Sequence, residues 1–504
     1  MIKLKLESDL RIQGLEMNRR LGMKIERVIF CSMLTALALA GARRVEAQPF
    51  TNALYTLLEG STITDECLIC GRPPIIRPLR GTFELALLEE KFPFSRYRLT
   101  NIAWQAEGDA PFSYDVTGAG EYRIGGEVAV MQNMALDVQV NGQKRNFTND
   151  SPLVERTFPL IDVSLTETQN TVFQFFSLRL VAAPVREIWF STTGGFTSAF
   201  NNVRGGPGDL LSASGRIVKS ASSLVAALGI PASDSGPGID AVDIGPGGEV
   251  LFSFDQNQVS PVLGPIQHGD LVSNRGRMVQ RNQALLAEFG VMPVVPDVGL
   301  DAVHVKDDGE VLFSISSNIF SERLGLTLQR GDLLSNRGTI VARNALLLGR
   351  FHPTTSKDFG LDALYVWPNG EVWFSTEEGF QDQELGPIGA GDLLSNQGLI
   401  VFRNLELMSA FAPLEDVSSF GLDALYIVTD FTPPAPPPRF TRVNRGLRSI
   451  SLQWDGTGKV FQLLKASQVN APFTPLSGLM PDQLFIDADV GTEAGAGFYR
   501  LRQW

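Results

Sequence analysis

The chain has 504 residues and a net charge of −12, with 44% hydrophobic and 19% charged residues. That content builds two to four domains with real cores and excludes a disordered chain, while the acidic balance excludes nucleic acid and anionic membrane partners, which need clustered Lys and Arg. With 49 Gly and 29 Pro, many short strands joined by tight turns are expected, an all-β class.

Residues 1–47 read as an export leader. Lys24 and Arg27 precede the apolar run 28–41, and Val45 and Ala47 supply the small residues of a cleavage site. The run is shorter than the roughly 20 residues a membrane helix needs, and no other stretch approaches that length. No membrane span is expected, and the mature chain should be secreted, periplasmic or at the cell surface. Residues 48–78 form an N-terminal extension with one C-x-x-C, Cys67 and Cys70. Half a zinc site has no second half here, since His268, His304 and His352 lie far off in sequence, and Arg72-Pro73-Pro74 stands where a redox helix would begin. A local disulfide is the expectation in an oxidising compartment, with a metal or redox role and free thiols as alternatives.

Residues 79–185 alternate apolar and polar side chains with period two, as at 134–142 and 171–181, between Gly, Asn and Asp turns; this fits a β-sandwich domain. From 186 to 429 the chain repeats. Glu187, Glu249, Glu310 and Glu371 each open an E-x-x-F-S strand, and Asp240, Asp301, Asp362 and Asp423 each precede Ala, in a step of about 61 residues. Each copy offers four strands, a to d. The a–b and c–d links are tight turns, whereas b–c and d–a are long and fall at one common end. A closed, propeller-like ring of four such units is expected, because each apolar unit needs the next to cover it.

The four Asp-Ala carboxyls are then candidates for a ring around one opening. They read either as a cation site, calcium being the hard cation that favours oxygen ligands, or as acceptors for backbone N–H groups where units meet. Asp209, Asp270, Asp332 and Asp392, which follow Gly at the start of strand c, read as structural turn residues. On the b–c loops, Phe196 and Phe380 occupy equivalent places in the first and fourth units, with Glu377 and Glu378 nearby. They are candidates for an aromatic ligand platform on the long-loop face, or for anchors tucked over their own units.

These motifs resemble the hemopexin-like four-bladed propeller, whose inner strands carry Asp-Ala and whose channel can hold ions. The units here are longer, and no Cys pair joins first and last. Residues 62–429 also look like uncharacterised exported bacterial proteins with the same Asp-Ala and Gly-Glu-Val-x-Phe-Ser texture, a resemblance that implies no activity.

Residues 430–438 form a Pro-rich spacer, and 439–504 resemble the small fibronectin-III-like modules that end many exported bacterial proteins, on Leu452, Trp454, Gly456 and the closing Phe498-Tyr499-Arg500-Leu501. The terminal Trp504 suggests an outer-membrane barrel, but the lipid-facing strands this needs are missing from the sequence. No G-x-S-x-G, H-E-x-x-H or phosphate loop occurs. The expected function is therefore binding of a carbohydrate or a surface protein by a monomer, on the long-loop face. A polysaccharide-active enzyme with acids on that face is the alternative, since two carboxylates suffice for such chemistry.

Overall fold

The computed structural model describes residues 52–109, 111–126, 130–149, 156–168, 173–200, 202–231, 237–291, 297–432, 435–488 and 497–504. The expected leader, 1–47, and two residues of the Pro-rich spacer lie outside them. The described chain is all-β, with only short helical turns between strands.

The first unit is built from β1 (Asn52–Leu57), β2 (Thr62–Glu66), β3 (Ile75–Pro78), β4 (Arg80–Lys91), β5 (Phe94–Ala106), β6 (Tyr114–Gly125), β7 (Met131–Val140), β8 (Gln143–Asn149), β9 (Ile161–Glu167) and β10 (Phe175–Ala183). From β4 to β10 each strand pairs antiparallel with the next. β10 then pairs with β1 and β2, and β1 pairs back with β4. The sheet closes on itself as a barrel, which corrects the β-sandwich expected for 79–185. Alternation with period two is common to both architectures, and the strands that close this one come from the segment read as an extension.

Along β7, Met134, Leu136, Val138 and Val140 point inward, and the interior also holds Tyr55, Phe83, Trp104, Tyr122 and Phe147. Asp115, Thr117, Asp137 and Gln139 face out, the reverse of the apolar outer band of a membrane barrel. Cys67 and Cys70 are joined as a disulfide in the β2–β3 connection.

The repeats form four four-stranded antiparallel sheets. The second contains Ile239–Gly245, Glu249–Phe254, Leu271–Ser273 and Arg277–Gln280; the third, Val303–Val305, Val311–Phe313, Leu333–Ser335 and Thr339–Ala342; the fourth, Leu364–Val366, Val372–Phe374, Leu393–Ser395 and Leu399–Phe402. The first sheet takes Val185–Ser191, Leu210–Ser212 and Arg216–Lys219 from its own copy, and its inner strand, Ala424–Thr429, from the end of the repeats. Successive inner strands are neighbours, and those of the fourth and second sheets both flank Ala424–Thr429, so the cycle is closed.

A repeated serine ties each sheet to the next. Ser191 donates to the Ile239 carbonyl (3.3 Å), Ser253 to Leu300 (2.7 Å), Ser314 to Leu361 (2.7 Å) and Ser375 to Leu422 (2.8 Å), so the last of these bonds returns to the first sheet. The motif Glu works within each sheet. Glu310 accepts from Ser335 (2.5 Å) and Glu371 from Ser395 (2.5 Å), and Glu187 and Glu249 accept likewise from Ser212 and Ser273.

The C-terminal module has two three-stranded sheets around Leu452, Trp454, Phe461 and Leu463. It seats on the a–b turn of the second sheet. Gly247 donates its N–H to the Gly458 carbonyl (2.9 Å). At Gly248 a Cβ would lie 1.6 Å from the Pro481 carbonyl oxygen, so this close approach requires glycine. Trp504 is buried, and its indole N–H donates to Asp430 (2.5 Å). Asp430 also accepts from Arg186 (2.9 and 2.6 Å) and from the Leu54 N–H (2.8 Å), so one carboxylate links barrel, ring and module. Its pKa is lowered: burial works against the charge, but the hydrogen bond and charge of Arg186 and the other donors outweigh it.

Candidate functional site

Each inner segment begins Gly-x-Asp-Ala, and the glycine explains where the Asp sits. A Cβ on Gly238, Gly299, Gly360 or Gly421 would strike Asp255 (2.5 Å), Ser316 (1.9 Å), Glu377 (2.4 Å) or Thr193 (2.7 Å) respectively. These four side chains occupy one repeat position, six residues after the motif Glu. They lie at the start of the inner segments, at the end of the ring that carries the long b–c connections. Asp240, Asp301, Asp362 and Asp423 enter from those segments, and Asp255 and Glu377 add two more acids, so six carboxyls gather at one mouth.

Asp301 and Asp362 are 4% and 8% exposed. Asp301 accepts a hydrogen bond from Ser316 and is hydrogen-bonded to Glu377 and Asp240. Burial is the largest cause raising all six pKa values, and repulsion between carboxylates adds to it at Asp240, Asp362, Asp423 and Glu377. Asp240 is raised well above the carboxylate range by burial and then by the charges of Asp301, Asp362, Asp423 and Asp255, and Asp362 by burial and then by Asp423, Asp301 and Glu377. Asp423 is pushed up to about 7 by burial, then Asp255 and Asp301. Glu377 reaches about 8 through burial and Asp301, against the opposing charge of Arg330. Asp255 and Asp301 rise by burial, against hydrogen bonds that favour their charged forms.

Among the described residues, no group of three or more His, Cys, Asp or Glu is disposed to hold a metal ion as the side chains stand. The donor set of carboxylates with the Ser316 and Thr193 hydroxyls nonetheless fits a hard cation in its chemistry.

The aromatic platform is not formed. Phe196 and Phe380 are 3% and 7% exposed; Phe196 packs edge-on against Phe411, ring centroids 5.0 Å apart, and Phe380 lies 4.9 Å from Phe359. Both rings are anchors for the small b–c hairpins, because a lone aromatic on so short a strand gains more from the core than from water. Glu377 pairs with Arg330 (2.5 Å), which also holds Glu378, and Lys357 pairs with Glu378 from the other side. Replacing Phe380 by Ala should cost about 3–5 kcal/mol of stability, measured by denaturant unfolding. A neutral result would return the ring to the surface.

Asp209, Asp270 and Asp392 act as turn acceptors for two backbone N–H groups each. Asp270 takes those of Gln267 (3.0 Å) and Asn282 (3.0 Å), Asp392 those of Gly389 (3.0 Å) and Asn404 (2.9 Å), and Asp209 those of Gly206 (3.0 Å) and Ala221 (2.7 Å). Asp332 accepts from Gln329 (2.9 Å) and pairs with Arg343. The three histidines do not meet: His268 bonds Asp297 (3.0 Å), His352 faces Glu384 on the surface, and His304 lies on an inner strand.

Sequence reasoning missed a second tier. Three residues after each Asp of Asp-Ala come Asp243, His304, Tyr365 and Tyr426, deeper along the same inner segments. His304 Nδ1 lies 3.9 Å from Asp243, and its ring meets Tyr365 edge-on at 5.4 Å. Burial lowers the His304 pKa against the pull of Asp243. The signal was present as a position where four copies differ inside a constant frame.

No protein-family profile and no curated protein matches the chain. Among solved structures, the extracellular domain of a protein described as a hybrid two component system from B. thetaiotaomicron matches 88% of this chain and 82% of its own, at 8% identity and a TM-score of 0.21, a likeness too slight to support any argument. Among the described residues, no helix is long and apolar enough to cross a membrane.

Proposed function

We propose that this is an exported binding protein that holds a calcium ion at the acidic mouth of its ring and presents the surrounding long-loop face to an extracellular carbohydrate or protein. The leader-like sequence of 1–47 and the Cys67–Cys70 disulfide support export. The observation that carries the reading is the convergence of six carboxyls, from all four sheets, on one largely buried spot. Such a cluster is compensated either by protons or by a cation, and calcium takes six to eight oxygen ligands without demanding rigid geometry. Glycosidic chemistry also uses an acid of raised pKa, which Glu377 has. Burial of Asp301 and Asp362 argues against a sugar ring seated between them and for a small ion.

Calorimetric titration of the mature protein tests this. Calcium should bind at about 0.1–1 mM, as in extracellular modules, with release of protons at pH 6 and tighter binding at pH 8. The pair Asp362→Asn and Asp423→Asn should abolish it. A glycan array with and without calcium then reads the ligand. Absence of calcium binding at pH 8 would sink the proposal, and release of shortened glycans would favour an enzyme.

A further inference from the structure

At the other end of the ring, where the tight a–b turns lie, a cavity of about 600 Å³ opens between the inner strands, the segment after Asp430 and the C-terminal module. Its floor is the second tier of the axis, His304, Tyr365 and Tyr426, joined by Trp367; Trp504 and Lys459 of the module line the side. The volume is that of a small-molecule site.

The floor is chemically unfinished. Trp367 is 1% exposed, and its indole N–H, unpaired like those of Trp104, Trp189 and Trp454, has no surface for a ligand to reach, so its ring adds only apolar wall. Tyr365 and Tyr426 are buried to 9% and 8% exposure, and no protein group bonds either phenol hydroxyl. Both tyrosines line the cavity, so their hydroxyls are left for whatever occupies it to complete. Burial keeps both phenols protonated, and it keeps His304 neutral near pH 7. The floor thus offers hydroxyls that donate and accept and an imidazole that does either. Aromatic rings and Val305, Val366, Ile427 and Val428 supply the apolar remainder.

We infer that this cavity is a binding site for a short saccharide, seated on the tyrosine hydroxyls and covered by the C-terminal module. A sugar hydroxyl both donates and accepts, which matches the floor, while the C–H face of the ring matches aromatic walls. An aromatic acid would need a free cation, but Lys306 is paired with Glu310 (2.9 Å) and Lys459 is 3.9 Å from Asp307. The site is separate from the acidic mouth, and its occupancy does not depend on calcium.

The test titrates the intact mature protein, in EDTA, with glucose, galactose, N-acetylglucosamine, maltose, cellobiose and chitobiose, reading tryptophan fluorescence and heat. At least one sugar should bind saturably, and Tyr365→Phe with Tyr426→Phe, which removes only two oxygen atoms, should weaken it at least tenfold. Failure of every sugar at 10 mM, binding of benzoate in their place, or affinity unchanged in the double Phe variant would each overturn the inference. Retention of the wild-type melting temperature by that variant separates lost contacts from lost fold.

Discussion

In EDTA the protein should lose stability as pH rises from 5 to 8, and calcium should restore it. A carboxyl whose folded pKa is raised binds more protons in the folded state than in the unfolded one, so its contribution is full below the unfolded value near 4 and falls as pH climbs through the folded value. Asp423 at about 7 and Glu377 at about 8 set the upper edge of the window, and Asp240 and Asp362 shift in the same direction. The groups held low, among them Asp430 and Asp382, act only as pH drops below about 4. His304 opposes the trend: its lowered pKa removes stability as pH falls through about 6.5.

The difference between wild type and Asp362→Asn with Asp423→Asn isolates the mouth. Calorimetric scans in EDTA should show the wild type melting about 3 °C or more lower at pH 8 than at pH 5, with the difference reduced in the variant. Millimolar calcium should raise the wild type at pH 8 and leave the variant unmoved. A wild type that gains stability from pH 5 to 8 in EDTA, relative to the variant, would show the carboxyls to be ionised and paired instead.

The ring was legible in the sequence because its constraints recur. One Glu must reach one Ser across each sheet, one Ser must reach the next sheet, and one Gly must leave room beside each inner Asp, so the letters repeat every 61 residues or so. The letters do not name the closing strand, because Ala424–Thr429 is buried on both faces, and only pairing shows that it joins Val185–Ser191. The barrel was not legible as a barrel, since Leu136 and Val138 face inward in either architecture and closure depends on residues more than a hundred positions away. For Phe196 and Phe380 the sequence leaves platform and anchor open, because loop position does not fix exposure, and their burial decides for the anchor. Trp504, an isolated terminal aromatic in sequence, gains its role from Asp430, Arg186 and Arg502, which the fold brings around it.

The coupling between barrel and ring should break at Arg156. This guanidinium emerges ahead of β9, is 2% exposed, and forms a two-point ion pair with Glu371 of the fourth sheet, itself 3% exposed; the Arg156 Nε bond is 3.2 Å. Glu371 also accepts from Ser395 (2.5 Å) and from the Trp373 indole (2.9 Å), so its charge is fixed in place by neutral donors that do not balance it. Removing one partner of a buried pair typically costs about 3–5 kcal/mol, because the other charge stays buried. Arg156→Met should therefore destabilise the protein by that amount in denaturant unfolding. Adding Glu371→Gln should recover most of the loss, since the amide oxygen still accepts from Ser395 and Trp373 and no charge remains. If the double variant is no more stable than Arg156→Met alone, Arg156 acts through shape at the barrel–ring contact, and its charge is incidental.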